Sequence, residues 1–309
     1  MDKFNELKGL SAGWKHVYRP AACLLITGED ALSFLQGQFT QELRSKSERS
    51  AVYGLWLNQK GKVLADSFVL KEASDRVWVI SHASPAKIIR ERLEAYIIAD
   101  DVMIEDITAD WFGITVGGGK LADEWLTQEA ECLPAKGEFI RAGGGFIFQG
   151  RRDAGPNFEW ILPVGAKVPG GLTEASGVEM ERMRIAAGIP LVPVDIGPGD
   201  LPNEGGLDET GISYTKGCYL GQEVMARLKA MGTVRRKLVR VRAAGRRAPA
   251  VPTALLQGEK RVGELRSAVD DGKGGFIGLA MISKLGLDPA ALLSPEPGGE
   301  GFIELIELP

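Results

Sequence analysis

The segment with the most reactive chemistry spans residues 216–223 and reads Lys-Gly-Cys-Tyr-Leu-Gly-Gln-Glu. Its thiol, Cys218, lies between a lysine and the start of a helix-like run at Glu223, and both neighbours favour the thiolate. We therefore interpret Cys218 as a reactive or redox-sensitive group, whereas Cys23 lies in an apolar strand pattern and is expected to be inert. Spacing alone favours the simpler alternative, a glycine-bracketed turn whose cysteine only packs.

Other catalytic chemistries are limited by the small number of cysteines and histidines. The three cysteines, Cys23, Cys132 and Cys218, are too far apart for a Cys-x-x-Cys metal site and too few for a disulfide framework. The two histidines, His16 and His82, are interpreted as solvated or structural side chains rather than catalytic bases. No metal site is expected.

Length and charge predict a globular protein of about two domains. The 309 residues carry 37 Lys and Arg against 41 Asp and Glu, a net charge of −4, which argues against a surface built entirely for nucleic acid. No apolar run approaches the roughly 18 residues that a membrane span needs. Because residues 1–8 also lack the apolar core of a secretory signal, we expect a cytoplasmic protein.

One local exception to this charge balance is the basic segment, residues 235–247, which carries seven cations and no acid. In a strand, Val239 and Val241 would share one face while Arg240 and Arg242 share the other. A solvated strand face therefore explains the pattern and is favoured over a surface for RNA or another anion.

Hydrophobic periodicity predicts the elements that must position these groups. Apolar, β-branched runs predict strands at 22–27, 51–57, 63–70 and 76–80, and amphipathic spacing predicts a helix at 84–98 with Ser84 as its N-cap. Strands followed by a helix and further strands are typical of an α+β fold rather than a doubly wound parallel sheet. Between a second helix, predicted at 178–187, and residue 207 lies the proline- and glycine-rich loop 190–206, a type of segment that often carries function.

From residue 234 onward the pattern changes to five short strands separated by turns, which predicts a small antiparallel barrel or sandwich. We therefore predict two regions, 1–232 and 233–309. The first is long enough for two intertwined subdomains.

Together with three earlier segments, residues 216–223 resemble the signature of YgfZ-type folate-binding proteins, which are relatives of the glycine-cleavage aminomethyltransferase. The earlier segments lie, in the family's order, at 28–40, 61–66 and 181–190. The resemblance covers most of residues 20–240. It implies an aminomethyltransferase-like folate-binding region with α+β architecture, a C-terminal antiparallel β-barrel and a central folate cavity.

The resemblance also implies that the cofactor is tetrahydrofolate or another reduced folate. Glu204 matches the position where the aminomethyltransferase relatives hold the pterin, whose adjacent N–H donors need a carboxylate acceptor. Asp66 matches their acid beside the reacting folate nitrogens, and it joins Cys218 as an expected catalytic residue. The other expected cofactor-binding residues are Arg184, Lys216, Tyr219, Gln222, Glu223 and Arg227.

The sequence departs from the aminomethyltransferase pattern at three places: Gln222 replaces a lysine, Cys218 replaces another residue, and Ala65-Asp66 replaces a pair of aspartates. Glycine-cleavage activity is therefore not expected. The resemblance implies instead a tetrahydrofolate-binding accessory protein for iron-sulfur cluster assembly or repair, with iron-sulfur client or assembly proteins as partners. Two alternatives stay open, a folate-dependent one-carbon transferase and a tRNA-modification partner that uses the basic segment.

Overall fold

The chain folds around three β-sheets in the computed structural model, which describes residues 13–232 and 234–306. The strands are β1 (Trp14–Tyr18), β2 (Ala22–Thr27), β3 (Ser50–Leu57), β4 (Val63–Lys71), β5 (Arg76–Ser81), β6 (Met103–Asp106), β7 (Trp111–Gly117), β8 (Phe139–Ala142), β9 (Gly145–Gln149), β10 (Asn157–Pro163), β11 (Thr173–Glu174), β12 (Arg236–Ala243), β13 (Thr253–Gln257), β14 (Lys260–Asp270), β15 (Phe276–Ser283) and β16 (Glu304–Leu305). The helices are α1 (Ala31–Gln38), α2 (Ala86–Glu94), α3 (Lys120–Ala130), α4 (Gly177–Ala186), α5 (Asp208–Gly211) and α6 (Gln222–Met231).

The strands of each sheet come from one part of the chain, with one exception. Strand β1, near the N-terminus, belongs to the central sheet. The N-terminal sheet has the order β3-β4-β5-β2-β6, the central sheet β11-β1-β7-β10-β9-β8, and the C-terminal sheet β13-β14-β15-β12-β16. All pairings are antiparallel except the short contact between β1 and β11. This arrangement confirms the α+β prediction, because no βαβ crossover builds any of the described sheets.

The N-terminal and central sheets pack face to face through an aromatic layer. The rings of Trp78 and Phe146 lie 4.7 Å apart, and those of Phe68 and Phe148 lie 4.8 Å apart. The opposite face of the N-terminal sheet is covered by α1 and α2, and the opposite face of the central sheet by α3. Aromatic pairs of this kind fix the spacing of the two sheets, and a cavity remains where the layer ends.

The C-terminal sheet curls into a half-barrel around its own apolar interior. Its two edges are linked by isolated bridges, from Leu256 to Ser294 and from Leu293 to Ile303. This confirms the antiparallel C-terminal architecture. The division at residue 232 stays a prediction, although the first strand of this sheet begins at Arg236.

Helix α4 and the following loop join the half-barrel to the other two sheets. The helix starts with a capping box in which the Ser176 hydroxyl accepts from the Glu179 N–H and the Glu179 carboxylate accepts from the Ser176 N–H. Its apolar residues pack against β14 and β15. The start of α4 is therefore fixed, and the helix carries Arg184 to the junction of all three sheets.

One prediction about an individual element is wrong, and one strand was not predicted. Helix α2 begins at Ala86 after Pro85 and has no side-chain cap, because the Ser84 hydroxyl is bound to Asp66 instead. Strand β1 was not predicted, since its polar residues Lys15 and His16 interrupt the apolar pattern. No helix within residues 13–232 and 234–306 is both long and apolar enough to cross a membrane. Residues 1–8, on which the cytoplasmic prediction partly rests, lie outside the described residues.

Candidate functional site

A polar cavity lies where the N-terminal sheet, the central sheet and the segment after α4 meet. Its volume is about 50 Å³, enough for a few water molecules. Aromatic and aliphatic walls surround a concentrated set of ionisable groups. The lining includes Tyr18, Tyr53, Asp66, Phe68, Ile80, Ser81, His82, Phe148, Arg151, Arg152, Glu159, Arg184 and the segment Ile189–Val192.

Asp66 presents its carboxylate to the cavity from β4. Its Oδ2 accepts a hydrogen bond from the Tyr53 hydroxyl at 2.9 Å, and its Oδ1 accepts from the hydroxyls of Ser84 at 2.8 Å and Ser81 at 3.3 Å. Burial raises the pKa of Asp66 above its usual value, although the positive charge of Arg151 and the three hydroxyls oppose the rise. The resulting carboxyl group is held rigidly and can take up or release a proton.

Glu159 presents a second carboxylate from β10. Its Oε2 accepts from the Tyr18 hydroxyl at 2.7 Å and from the Thr115 hydroxyl at 3.0 Å. No hydrogen bond from the described residues reaches its Oε1, beside which the chain passes at Gly150. Burial raises the pKa of Glu159, and the charge of Arg152 opposes this rise. The Oε1 of Glu159 can therefore accept a hydrogen bond from a ligand.

Each carboxylate belongs to a similar group of three side chains. The guanidinium carbon of Arg151 lies 3.9 Å from the ring centroid of Tyr53, which donates to Asp66. The guanidinium carbon of Arg152 lies 5.3 Å from the ring centroid of Tyr18, which donates to Glu159. The two arginines are consecutive residues just after β9, so one short connection supplies a cation to both carboxylates.

His82 completes the polar lining beside Tyr18. The two rings are 4.9 Å apart in an edge-to-face arrangement, and the His82 Nδ1 is buried without a hydrogen-bond partner among the described residues. Burial, reinforced by the positive charge of Arg152, lowers the pKa of His82 to about 2. The imidazole is therefore neutral at physiological pH, which agrees with a structural rather than an acid-base role.

This histidine leads to a pH prediction. The unfolded chain takes up a proton at His82 as the pH falls below about 6.5, whereas the folded chain resists it down to about 2, so acid destabilises the fold. Replacing His82 by Gln is expected to reduce the loss of stability between pH 6 and pH 4 by about 1.4 kcal/mol per pH unit. Urea unfolding at several pH values measures this slope, with His16→Gln as control. An unchanged slope in His82→Gln would contradict the assignment.

Arg184 also reaches the cavity, but its guanidinium is fully engaged in a buried network. The side chain donates to both carboxylate oxygens of Glu181, to the carbonyl oxygen of Ile189, to Asp195 Oδ2 and to the Ser267 hydroxyl. Asp195 is fully buried, and Arg184 is 3% exposed. Arg184 therefore fixes the loop after α4 against the half-barrel.

Glu204 lies in a second ion-pair network outside the cavity. Arg236, on β12, donates to its Oε1 and its Oε2 at 2.9 Å each, and the backbone N–H of Leu201 donates to Oε2 at 2.8 Å. Asp200 binds both Arg236 and Arg266 beside it. Glu204 is 4% exposed, both of its oxygens accept from Arg236, and it lines a separate cavity together with Lys62 and Arg235. Its assignment to the pterin stays a prediction.

The segment 216–223 forms a turn followed by α6, as the sequence predicts. The ammonium group of Lys216 is turned inward, where it donates to the carbonyl oxygens of Gln36, Phe39 and Gln41 at 2.7 to 2.9 Å. Burial lowers the pKa of Lys216 to about 8. Lys216 therefore anchors the end of α1 and does not direct its charge at Cys218.

The other residues of the segment 216–223 differ in their exposure to solvent. Cys218 is exposed, Tyr219 is buried, and Gln222 and Glu223 open α6, where Glu223 and Arg227 form an exposed i,i+4 ion pair at 3.1 Å. Cys23 is buried, and burial raises the pKa of its thiol to about 12, in agreement with an inert role. No group of three or more metal-ligating side chains occurs in the described ranges.

Of the predicted site residues, the structure brings only Asp66 and Arg184 to the cavity. Sequence reasoning missed the cavity residues Tyr18, Tyr53, His82, Arg151, Arg152 and Glu159. One signal was available: Arg151 and Arg152 are consecutive cations in a connection between two apolar strands, beside an acid in the second strand.

Comparison with known proteins finds a matching domain model and a shared fold. Residues 21–133 match the model of the GCVT N-terminal domain. The fold superposes on the glycine cleavage system aminomethyltransferase T of Bartonella henselae with a TM-score of 0.81 and 15% identity, covering 100% of this chain and 88% of that one. The N-terminal part of the chain therefore matches that domain, and the whole chain shares the fold of the aminomethyltransferase. The predicted resemblance and fold class are thereby confirmed.

Three kinds of protein, with different names, are similar to this chain in sequence. An aminomethyltransferase of Caldanaerobacter subterraneus subsp. tengcongensis is 26% identical over 70% of this chain and 62% of its own length. An iron-sulfur cluster assembly factor IBA57 homolog, mitochondrial, of Aspergillus clavatus is 26% identical over 70% of this chain and 54% of its own. A tRNA-modifying protein YgfZ of Edwardsiella ictaluri is 26% identical over 72% of this chain and 69% of its own length. The match therefore spans less than two thirds of the length of the first two relatives.

Proposed function

We propose that this chain binds tetrahydrofolate, or another reduced folate, in the cavity and acts as an accessory protein in iron-sulfur cluster assembly or repair. The folate part rests on one observation: a buried carboxyl group, Glu159, and a half-buried one, Asp66, come from two sheets to line one cavity with aromatic walls. Polar groups converging in an apolar pocket are typical of small-molecule sites. The similarity to the GCVT N-terminal domain and to an aminomethyltransferase supports the choice of a folate.

The chemistry of the pterin ring fits the spare acceptor in this cavity. Its amino-pyrimidinone edge carries adjacent N–H donors, for which a carboxylate is the complementary acceptor. The Glu159 Oε1 is open, whereas both oxygens of Glu204 are occupied by Arg236. Phe68 and Phe148 supply apolar surface for the faces of a flat ring. The geometry therefore favours Glu159 over Glu204 as the pterin acceptor.

Tetrahydrofolate binding is tested by anaerobic titration calorimetry of the purified chain, together with native mass spectrometry of protein isolated without added ligand. We expect a dissociation constant in the micromolar range or tighter and a bound mass that matches a folate. Absence of binding in both experiments would overturn the proposal.

The cavity must widen to admit a bicyclic ring, since about 50 Å³ holds only a few waters. The wall best suited to move is Ile189–Val192, the start of the predicted loop 190–206. Downstream of this wall, Asp195 accepts from the Leu191 N–H and the Ser267 hydroxyl. The start and the middle of the loop are therefore both held by hydrogen bonds, and opening of the loop as a lid requires those at Ile189, Leu191 and Val192 to break.

Saturating tetrahydrofolate is expected to slow hydrogen exchange at the amides of Leu191 and Val192, because a ligand behind them holds the lid closed. Exchange at the β8–β9 turn, residues 142–145, serves as the control because it lies outside the cavity. Mass spectrometry of peptic fragments with and without ligand makes the measurement. Identical exchange at 189–206 in the two states would show that this segment is not a lid.

The iron-sulfur part of the proposal is supported by relatives named for cluster assembly and by the signature around Cys218. The chain offers a matched pair of exposed cysteines, Cys218 and Cys132. In a strain that lacks the native gene, Cys218→Ala is expected to lose most of its ability to restore iron-sulfur enzyme activity, whereas Cys132→Ala retains it. Equal restoration by both variants, with alkylation of Cys218 no faster than a free thiol across the pH range, would reduce the segment to a turn.

Asp66 gives one-carbon transfer a specific basis as the second candidate function. Its carboxyl group lines the cavity and is held by three hydroxyls, so it can orient a folate nitrogen, and burial raises its pKa in the direction that favours proton donation. Turnover of methylene-tetrahydrofolate, abolished in Asp66→Asn, would favour an enzyme over an accessory protein.

The basic segment gives less support to RNA binding. Arg236 and Arg242 are engaged in ion pairs with Asp200, Glu204 and Glu304. Contact with tRNA therefore stays a prediction. If it occurs through this segment, the affinity for tRNA should fall steeply as the salt concentration rises.

A further inference from the structure

The two cavity arginines differ from the other arginines of the site in having no acceptor. Neither the Arg151 nor the Arg152 guanidinium makes an ion pair or a hydrogen bond with the residues in 13–232 and 234–306, and the Arg152 Nη1 is buried without a partner. By contrast, Arg184 and Arg236 use their guanidinium groups on nearby acids and carbonyl oxygens.

An unpaired guanidinium beside a cavity is costly unless something else satisfies it. Both arginines are half-buried, and the buried Arg152 Nη1 in particular loses its hydration without gaining a hydrogen bond in exchange. Asp66 and Glu159 act on the two arginines through charge alone, since neither carboxylate accepts a hydrogen bond from them among the described residues. Stacking on a tyrosine ring compensates only part of that cost. The arrangement is therefore suited to a ligand that brings its own anionic groups.

We infer that Arg151 and Arg152 bind the carboxylate tail of the folate, so that affinity depends on the tail as well as on the ring. This inference rests on the proposed function. The two carboxyl groups of a glutamate tail match two neighbouring guanidinium groups in number and charge, and the planar fork of arginine suits carboxylates. Both arginines line the same cavity as Glu159, and both follow β9 in the chain.

The test compares two ligands on one set of proteins. Tetrahydrofolate and 6-methyltetrahydropterin share the ring, but only the first has the tail. Their dissociation constants are measured by calorimetry for the wild type, Arg151→Gln, Arg152→Gln and the double variant. Arg141→Gln is the matched control, since Arg141 also stacks on an aromatic ring, that of Phe146 at 4.1 Å, but does not line the cavity.

We expect the wild type and the control to prefer tetrahydrofolate by tenfold or more, and the double variant to lose most of that preference, about tenfold for each arginine. In each variant, affinity for the tail-less pterin should fall less than affinity for tetrahydrofolate, so the ratio of the two dissociation constants measures the contribution of the tail. Lysine variants at the two positions, which keep the charge, should retain part of the preference and show by their melting temperatures that the fold is intact.

Three outcomes would overturn the inference. In the first, the wild type binds both ligands equally, and in the second, the double variant keeps the full preference for tetrahydrofolate. Either result would show that these arginines do not bind the tail, while the proposal of folate binding would stand. If the wild type binds neither ligand, the proposed function fails, and the inference fails with it.

Discussion

Replacing Arg184 by alanine is expected to lower the free energy of unfolding by about 3–5 kcal/mol, the usual cost of removing one partner of a buried ion pair. The variant would leave the carboxylate of Asp195 fully buried with only the Ser267 hydroxyl and a backbone N–H to compensate its charge. Urea unfolding followed by circular dichroism measures the change. The loop 190–206 should become susceptible to proteolysis at the same time, because Asp195 holds it to the half-barrel.

Arg227→Ala is the matched control for Arg184. Both residues were predicted as folate-binding arginines and both pair with an acid on their own helix, but the pair of Arg227 and Glu223 is exposed. Exposed pairs contribute about 0.5 kcal/mol or less. If Arg184→Ala loses folate affinity but keeps its stability, Arg184 binds ligand and is not the structural residue described above.

The second large effect concerns the pterin acceptor. Glu159→Gln is expected to weaken tetrahydrofolate binding by about tenfold to a hundredfold, because an amide offers one acceptor and places an N–H group where the pterin donors must bind. The substitution keeps the size of the side chain and an acceptor for the Tyr18 hydroxyl. Calorimetry with the wild type and the variant measures the loss.

Glu204→Gln provides the comparison, because it tests the acceptor that the sequence predicts. With Glu204 held by Arg236, we expect folate affinity to stay within about twofold, while the melting temperature falls as the network with β12 weakens. A loss of affinity in Glu204→Gln together with none in Glu159→Gln would support the sequence-based assignment and contradict the geometric one.

Local patterns in the sequence were sufficient for most of the fold. Strand β2 runs over the predicted residues 22–27, and β4 and β5 agree with their predictions to within one residue at either end, because apolar alternation depends on neighbours in the chain. The Ser84 cap failed for a tertiary reason. Its hydroxyl binds the backbone N–H and the side chain of Asp66, two interactions that helix-start signals do not contain.

The candidate site was harder to predict because its members come from distant parts of the chain. Glu159 looks like an acid at the edge of an apolar strand until Tyr18, 141 residues earlier, donates to it. Lys216 was interpreted as a neighbour of Cys218, but its ammonium group reaches α1, 175 to 180 residues earlier. The resemblance led to Asp66, whereas only the packing of the sheets shows that the second carboxylate of the cavity is Glu159.

The most direct test of the account is a crystal structure of this chain with tetrahydrofolate bound. We expect the pterin to lie between Asp66 and Glu159, with its amino-pyrimidinone edge within hydrogen-bond distance of the Glu159 carboxylate and with Ile189–Val192 displaced outward. A pterin bound against Glu204, or a cavity still closed while folate occupies another surface, would contradict it.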